Sequence, residues 1–463
     1  MRPYMRAVNV TWNGISLHDV KEMDFTPEEF ETYALRRGDL LLSEASGSAS
    51  EVGKPAIWNG EVSGCCFQNT LIRVRAPEPL VPFLHLHFYK DALTGEFARA
   101  ARGVGIHHLG AKALSGWEVH LPPPDEQRRI VETVDSYLTR LDDVTSTLER
   151  VRRNLKRYRA CILKAAVEGR LVPTEAKLAQ AEGREYEPAS ILLKRILVER
   201  RRRWEEGELA KMKAAGKTPK NDDWKAKYKE PTAPDTTELP SLPVGWCWAL
   251  VDQLGDVNGG LTQNSKRRDL RLQVPFLRVA NVYADEVRLD TVKEIGVTEA
   301  ERERTQLVAG DLLIVEGNGS IDQIGRVALW NAAIAPCVHQ NHLIRVRFEP
   351  VALARWTLGW LLSPSGRIAI EQAASSTSGL HTLSLSKVSH LPVPLPPLTE
   401  QVRIIQAVDR YRDRPKALEQ IVSLEVRYCD HLRQSILACA LRGELVESVR
   451  GSGTDQRRRS RTQ

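Results

Sequence analysis

A chain of 463 residues, 42% of them apolar, has the length for about three or four domains and the composition for real cores. Its net charge of +7, from 66 basic and 59 acidic residues, is too mild to identify a nucleic-acid binder by itself. No apolar run approaches the ~18–20 residues of a membrane helix, the first residues hold no signal core, and seven cysteines without a CxxC pair argue against a disulfide framework or a zinc knuckle. The chain therefore reads as a soluble, cytoplasmic protein.

In chain order, residues 1–124 form a first globular domain, closed by Pro122, Pro123 and Pro124. A helical region follows over 125–172, with Asp125 placed to cap it. Its apolar residues alternate at spacings of four and three: Ile130, Val134, Tyr137, Leu141, Val144, Leu148, Val151, Leu155, Tyr158, Ile162 and Ala165. That 3.5-residue period predicts a coiled-coil seam about 50 Å long, and Gly169 is a suitable terminator. Residues 173–240 read as a helical extension, with Leu192, Leu193, Ile196 and Leu197 on one face, and then a polar Lys- and Pro-rich linker. A second globular domain spans 241–398, with strands at "DLLIVEG", "GRVALW" and "HLIRVRF" and helices in "ALARWTLGWLLSPSGRIAIEQA". A second helical region runs over 399–447 from its cap, Thr399; Pro415 should kink or split it, and Glu425 puts a charge on its seam. Each long helix needs a partner for its stripe, and the simplest partner is the other one. Residues 448–463 read as a disordered basic tail. Basic residues crowd at 150–159, at 200–203 and at 457–461, a distribution that favours phosphate contact over solvated helix faces.

The two globular domains are one unit written twice. Residues 36–75 align without a gap on 308–347, and 19 of the 40 positions are identical, so the match is not chance. "GDLL", "WN" and "QNxLIRVR" recur at an offset of 272; "LPPPDEQ" returns as "LPPLTEQ", and "EGRLV" as "RGELV", at 274. A period this long excludes a solenoid and makes the chain a covalent pseudo-dimer. The fold class that follows is mixed α+β: two α/β domains in tandem pseudo-repeat, each followed by a long helix, with the helices paired as an antiparallel coiled coil.

The motifs "LPVGWCW", "GDLLIVEGNGSIDQIGRVALW" and "GLHTLSLSKVSHLPVPLPPLTEQ", together with the duplicated helix ends, resemble the specificity subunits of type I restriction–modification systems. The resemblance covers nearly the whole chain, in the family's order. It implies two target-recognition domains, each reading one half of a bipartite, asymmetric site in double-stranded DNA. It implies that the helical regions form a spacer and dock two methyltransferase subunits, with restriction subunits joining to cut unmodified DNA. It also implies that S-adenosylmethionine and ATP are bound by those partners, and that this chain holds no cofactor and catalyses nothing. The rival readings are a truncated or orphan subunit acting as a DNA-binding coiled-coil adaptor, and a stand-alone DNA methyltransferase. The second has no residues to support it: there is no Asn-Pro-Pro-Phe-type run, and the nearest phosphate-loop mimic, "GSASEVGKP", has one residue too many and ends in Pro. Met1 aligns with Gln273, so the first copy has no equivalent of 242–272, and the family pattern makes it short at its N-terminus.

Base readout needs Arg or Lys for guanine, Asn or Gln for adenine, and small hydroxyls for several bases. The matched runs "EASGSASEVGK" and "EGNGSIDQIGR" share Glu44/Glu316, Gly47/Gly319, Ser48/Ser320 and Gly53/Gly325 and differ between them. The candidates for DNA contact are Ser46, Ser50, Glu51 and Lys54 in the first copy, and Asn318, Asp322, Gln323 and Arg326 in the second. An ordinary tight turn uses the same residue types, and Lys54 and Arg326 suit phosphate clamping equally well. Lys266, Arg267 and Arg268 are further phosphate candidates, and "STSGLHT" at 376–382 is a third contact loop, with His107 and His381 matched. Trp58/Trp330 and Gln68-Asn69/Gln340-Asn341 read as scaffold, and the helix ends "EGRLV" and "RGELV" as subunit contacts.

Overall fold

The computed structural model describes residues 1–445 apart from 47, 102–106, 220, 319 and 378–379. The basic tail expected at 448–463 lies outside the described residues. The chain divides into two compact units, Met1–Arg152 with Gln420–Gln463, and Arg153–Glu419. No helix among the described residues is long and apolar enough to cross a membrane.

Each unit is built around a strand buried on both faces, which is why its sequence is a continuous apolar run. In the first unit this is Leu40–Ser43, paired antiparallel with Pro55–Ile57 and Leu71–Val74. Leu40 and Leu42 point to one core, with Ile72, Leu84 and Phe88, while Leu41 points to the other, with Met5, Val10 and Trp58. The second unit repeats this. Leu312–Val315 pairs with Val327–Leu329 and Leu343–Phe348, and Leu313 and Val315 join Trp330 and Cys337 while Leu312 and Ile314 face the helical side. A second small sheet closes each sandwich, Arg2–Met5 between Lys21–Met23 and Cys66–Phe67 in one unit, and Leu272–Leu277 between Lys293–Val297 and Val338–His339 in the other.

The duplicated "IRVR" is explained by what its arginines hold. Short helices Pro27–Tyr33 and Glu299–Thr305 begin with capping boxes, Thr26 with Glu29 and Thr298 with Glu301. At their other ends Arg73 Nη1 donates to the Thr32 and Ala34 carbonyls (2.9 and 3.1 Å), and Arg345 Nη1 to those of Arg304 and Gln306 (3.2 and 3.3 Å). These are orphan carbonyls of a helix end. Arg75 makes a two-pronged pair with buried Asp39 at 2.6 Å, and Arg347 with buried Asp311 at 2.7 Å. The repeat therefore preserves scaffold, as expected for Trp58 and Trp330, which are both buried.

The long helices are Pro124–Val167 and Leu398–Leu441. In the first unit Ile130 and Val134 pack with Leu437 and Ala440; in the second, Ala166 and Val167 share a core with Ile404, against which Ile405 and Val408 pack. The start of one helix thus meets the end of the other, so the pairing is antiparallel. The expected two-stripe seam is only half realised. Val134 is buried and Leu141, Leu148, Leu155 and Ile162 are half-buried, but Tyr137, Val144, Val151 and Tyr158 are 37–49% exposed. On the partner helix Pro415, Val422 and Cys429 are buried, while the exposed Glu425 must keep its water. The helices accordingly meet on one stripe. Nor is the second helix split at Pro415: it continues through that residue, the lost amide bond being a local cost of about 3 kcal/mol within a long hydrogen-bonded element.

Both helix ends are Schellman caps. Arg170 and Gly169 amides donate to Ala165 and Ala166 carbonyls (2.8 and 3.2 Å), and Glu444 and Gly443 amides to Cys439 and Ala440 (2.9 and 3.0 Å). Leu171 and Val172 then pack onto the second unit's core, so "EGRLV" has an intrachain role that the sequence reading assigned to subunit contact. Within 173–240, helices occupy Glu175–Glu182 and Ala189–Ala214, the second spanning the stretch expected to be helical. The expected linker after it holds more structure than its composition suggests: Trp224 folds back to stack on Trp204 with ring centroids 6.1 Å apart.

Candidate nucleic-acid interface

In each unit the central strand runs on into a loop whose backbone frame is the same. Ser43 N donates to the Lys54 carbonyl (3.0 Å) and Gly53 N to the Ser43 carbonyl (2.9 Å); Val315 N donates to Arg326 (2.9 Å) and Gly325 N to Val315 (3.1 Å). The glycines are required there. Gly53 and Gly325 have φ of +72° and +62°, and a Cβ would lie 2.2 Å from Phe97 Cδ2 and 2.5 Å from Ile370 Cγ2. Ahead of each glycine is a short 3₁₀ turn, Ala49–Glu51 or Ile321–Gln323.

A second chain segment joins each loop as a ribbon. Ala45–Ser46 pairs with His107–His108, and Gly317–Asn318 pairs with Leu380–Thr382, which pairs in turn with Ser375–Thr377. Leu109 N donates to the Glu44 carbonyl (2.9 Å) and Leu383 N to that of Glu316 (2.7 Å). Described parts of the candidate loop at 376–382, Ser376–Thr377 and Leu380–Thr382, are therefore brought into one sheet with Gly317–Asn318, and His107 and His381 occupy matching ribbon positions. Residues 378–379, Gly47 and Gly319, and the side chains of Ser46, Asn318 and Asp322, lie outside the described set.

The remaining candidates differ in how free they are. Ser50 is exposed, with its hydroxyl 2.8 Å from that of Ser48. Glu51 is ion-paired to Lys54 and accepts from the Trp12 indole at 3.1 Å. Burial pushes its pKa up, but Lys54 and Trp12 outweigh that and leave it lowered. Lys54 is largely buried in this pair. Arg326 lies 5.1 Å from the centroid of the Tyr283 ring, which also carries Arg288 at 4.0 Å, and donates to the Val279 carbonyl at 3.3 Å. Gln323 is half-buried. Lys266, Arg267 and Arg268 sit on a separate turn, Ser265–Asp269, beside the strand Lys293–Val297. Arg267 is committed to Glu301 (2.8 Å) and to the Thr262 and Gly296 carbonyls (2.7 and 3.2 Å), whereas Lys266 and Arg268 are exposed and form no ion pair among the described residues.

The basic block at 200–203 is neutralised. Arg200 binds Asp252 (3.0 Å), Arg201 binds Glu205 and Glu230, Arg202 binds Glu199 and Glu206, and Arg203 binds Glu349. This corrects the expectation of phosphate contact for that cluster, because acids spaced at three and four residues supply counter-charges along the helix. Arg150, Arg153, Lys156 and Arg157, by contrast, are exposed. Glu316–His342 (2.8 Å) beside the loop and the Tyr283 platform were not expected from the sequence. The signal for the first was the histidine at 342 where the first copy has Thr70.

No family model matches the chain. It is 26% identical to the type I restriction enzyme EcoKI specificity subunit of Escherichia coli K12 and 23% identical to the StySPI specificity subunit of Salmonella potsdam, in each case over 98% of this chain and 84% of the relative. A chain solved in a study of complex assembly and conformational transition of the type I restriction–modification system shares the fold, with a TM-score of 0.59 at 17% identity, covering 96% of this chain and 92% of that one. Collinear similarity over both copies and both long helices, and a shared fold over the same span, place this chain in the family of type I restriction enzyme specificity subunits.

Proposed function

We propose that the chain reads a bipartite, asymmetric site in double-stranded DNA, with one recognition domain, 1–124, taking one half-site and the other, 241–398, the second. The observation that carries this reading is the duplicated loop-and-ribbon: one backbone frame, two different sets of polar side chains. Shared frame with unlike fill is what two readers of unlike half-sites need. Within it, Ser46, Ser50, Asn318, Asp322 and Gln323 are the base-reading candidates. Lys266 and Arg268 are the free phosphate contacts; Lys54, Glu51, Arg326 and Arg267 shape the surface from within their intrachain pairs.

The helical regions 125–172 and 399–447 set the spacing between half-sites and dock two methyltransferase subunits, with restriction subunits completing the complex. The exposed apolar residues along these helices support the docking role: Tyr137, Val144 and Val151 on one, and Ile421, Leu424 and Tyr428 on the other. S-adenosylmethionine and ATP belong to those partners. The test is an exchange of residues 316–326 for the matching loop of a relative with another specificity. One half-site should change and the other stay, and unchanged specificity would remove the loop from the reading role.

A further inference from the structure

Beside the second candidate loop the backbone brings in a further segment. Gly260 runs so close to its neighbour that a Cβ would lie 2.1 Å from the His339 carbonyl oxygen, so only glycine fits there. Leu261, which is buried, donates its amide to that same carbonyl at 2.8 Å and accepts from the Asn341 amide at 3.0 Å. One residue on, the His342 carbonyl accepts from the Glu316 amide at 3.0 Å. The exposed His342 ring also places Nδ1 2.8 Å from Glu316 Oε2. Residues 261–264, 340–342 and 316–318 therefore share one edge.

The segment is fixed in its backbone and free in its side chains. Arg267 closes it by donating to the Thr262 carbonyl at 2.7 Å while paired with Glu301 at 2.8 Å. Thr262, Gln263 and Asn264 are exposed, and the amide side chains of Gln263 and Asn264 form no hydrogen bond among the described residues. Asn264 directly precedes the 3₁₀ turn Ser265–Asp269, where an asparagine ordinarily caps the backbone, yet it makes no cap bond. Capping does not account for it. Lys266 and Arg268, exposed and without an ion pair among the described residues, follow directly.

We propose that the amide side chains of Gln263 and Asn264 read adenine in the half-site taken by domain 241–398, a role that rests on the DNA-reading function of that domain. A carboxamide sets a donor and an acceptor side by side, matching N7 and N6 of adenine in the major groove. A backbone fixed before DNA arrives lowers the entropic cost of ordering them. Lys266 and Arg268 hold the flanking phosphates, which orients the segment without adding sequence preference.

The test expresses the full chain with its methyltransferase subunit in a methylation-free host and maps modified adenines. The parent is compared with Gln263→Ala plus Asn264→Ala, and with Lys266→Gln plus Arg268→Gln. In the amide variant, an A·T position other than the methylated one should lose its preference at least about fivefold in one half-site, the other half-site staying as it was. The cation variant should methylate less at all sites alike and keep the motif. An amide variant that keeps the parent motif, or whose methylation falls evenly with no change in base preference, would overturn the proposal. If it methylates nothing, its purified complex is bound to duplexes altered one base pair at a time; a relaxed A·T position supports the proposal and parent-like discrimination throughout overturns it. A parent that specifies no bipartite motif would instead contradict the DNA-reading function, and the proposal with it.

Discussion

Gly325→Ala is the sharpest test of how the second candidate loop is held. The residue sits at φ +62°, and an alanine Cβ would lie 2.5 Å from Ile370 Cγ2 and 3.2 Å from Leu383 Cδ1, both on fully buried side chains. The left-handed backbone costs about 1–2 kcal/mol for a residue with a Cβ, and overpacking a filled core adds about 1–3 kcal/mol. The expected loss is therefore about 2–5 kcal/mol, confined to the second unit. Ile370→Ala alone should cost about 2–5 kcal/mol through the cavity it leaves. In the double variant the cavity accepts the new methyl group, so the two losses should fall short of additivity by about 1–3 kcal/mol. The readout is hydrogen exchange of the amides in Leu312–Val315 and Val327–Leu329 for the three variants and the parent. Full additivity, or a loss under about 0.5 kcal/mol for Gly325→Ala, would refute the steric argument for the shared glycine.

Glu301 is held at a pKa of about 2, first by the Arg267 guanidinium and then by the Thr298 backbone amide, against an ordinary 4.5. A carboxyl depressed in the folded state stabilises it above the ordinary value, and that contribution is lost as pH falls from about 4.5 to about 2. Arg267→Met should move the Glu301 midpoint, read by NMR titration, up towards 4.5, and an unmoved midpoint would contradict the pairing. Burial pushes the Cys65 and Cys337 thiols up to about 12, while Cys161 is exposed. A thiol reagent at pH 8 should modify Cys161 in the native protein and reach Cys65 and Cys337 only on unfolding; Cys161→Ser should remove the fast phase. Trp224→Ala, which deletes the stack on Trp204, should open the 217–240 segment to limited proteolysis and leave half-site choice unchanged.

The duplication made much of this architecture legible. Two copies in one sequence act as a comparison of relatives, and "GDLL" and "QNxLIRVR" mark a doubly buried strand and the arginines that close a helix end and pair a buried aspartate. The heptads revealed both long helices, but period alone does not say how many partners a seam has, so the exposure of Tyr137 and Val144 was not foreseen. Charge runs misled at 200–203 because their counter-charges come partly from residues far along the chain, such as Asp252 and Glu349. The Trp204–Trp224 stack was hidden for the same reason: its two rings lie on either side of a lysine-rich stretch that reads as linker. Within the candidate interface, the shared glycines marked the loop frame, while the commitment of Lys54 and Arg267 to Glu51 and Glu301 depends on folding.

The central claim, that one chain reads two unlike half-sites, is tested most directly by a methylome. The chain would be expressed with its neighbouring methyltransferase subunit in a methylation-free host, and modified adenines mapped by single-molecule sequencing. A split, asymmetric motif with a modified adenine in each half is the predicted result; a palindrome, a single half-motif or no modification would contradict it.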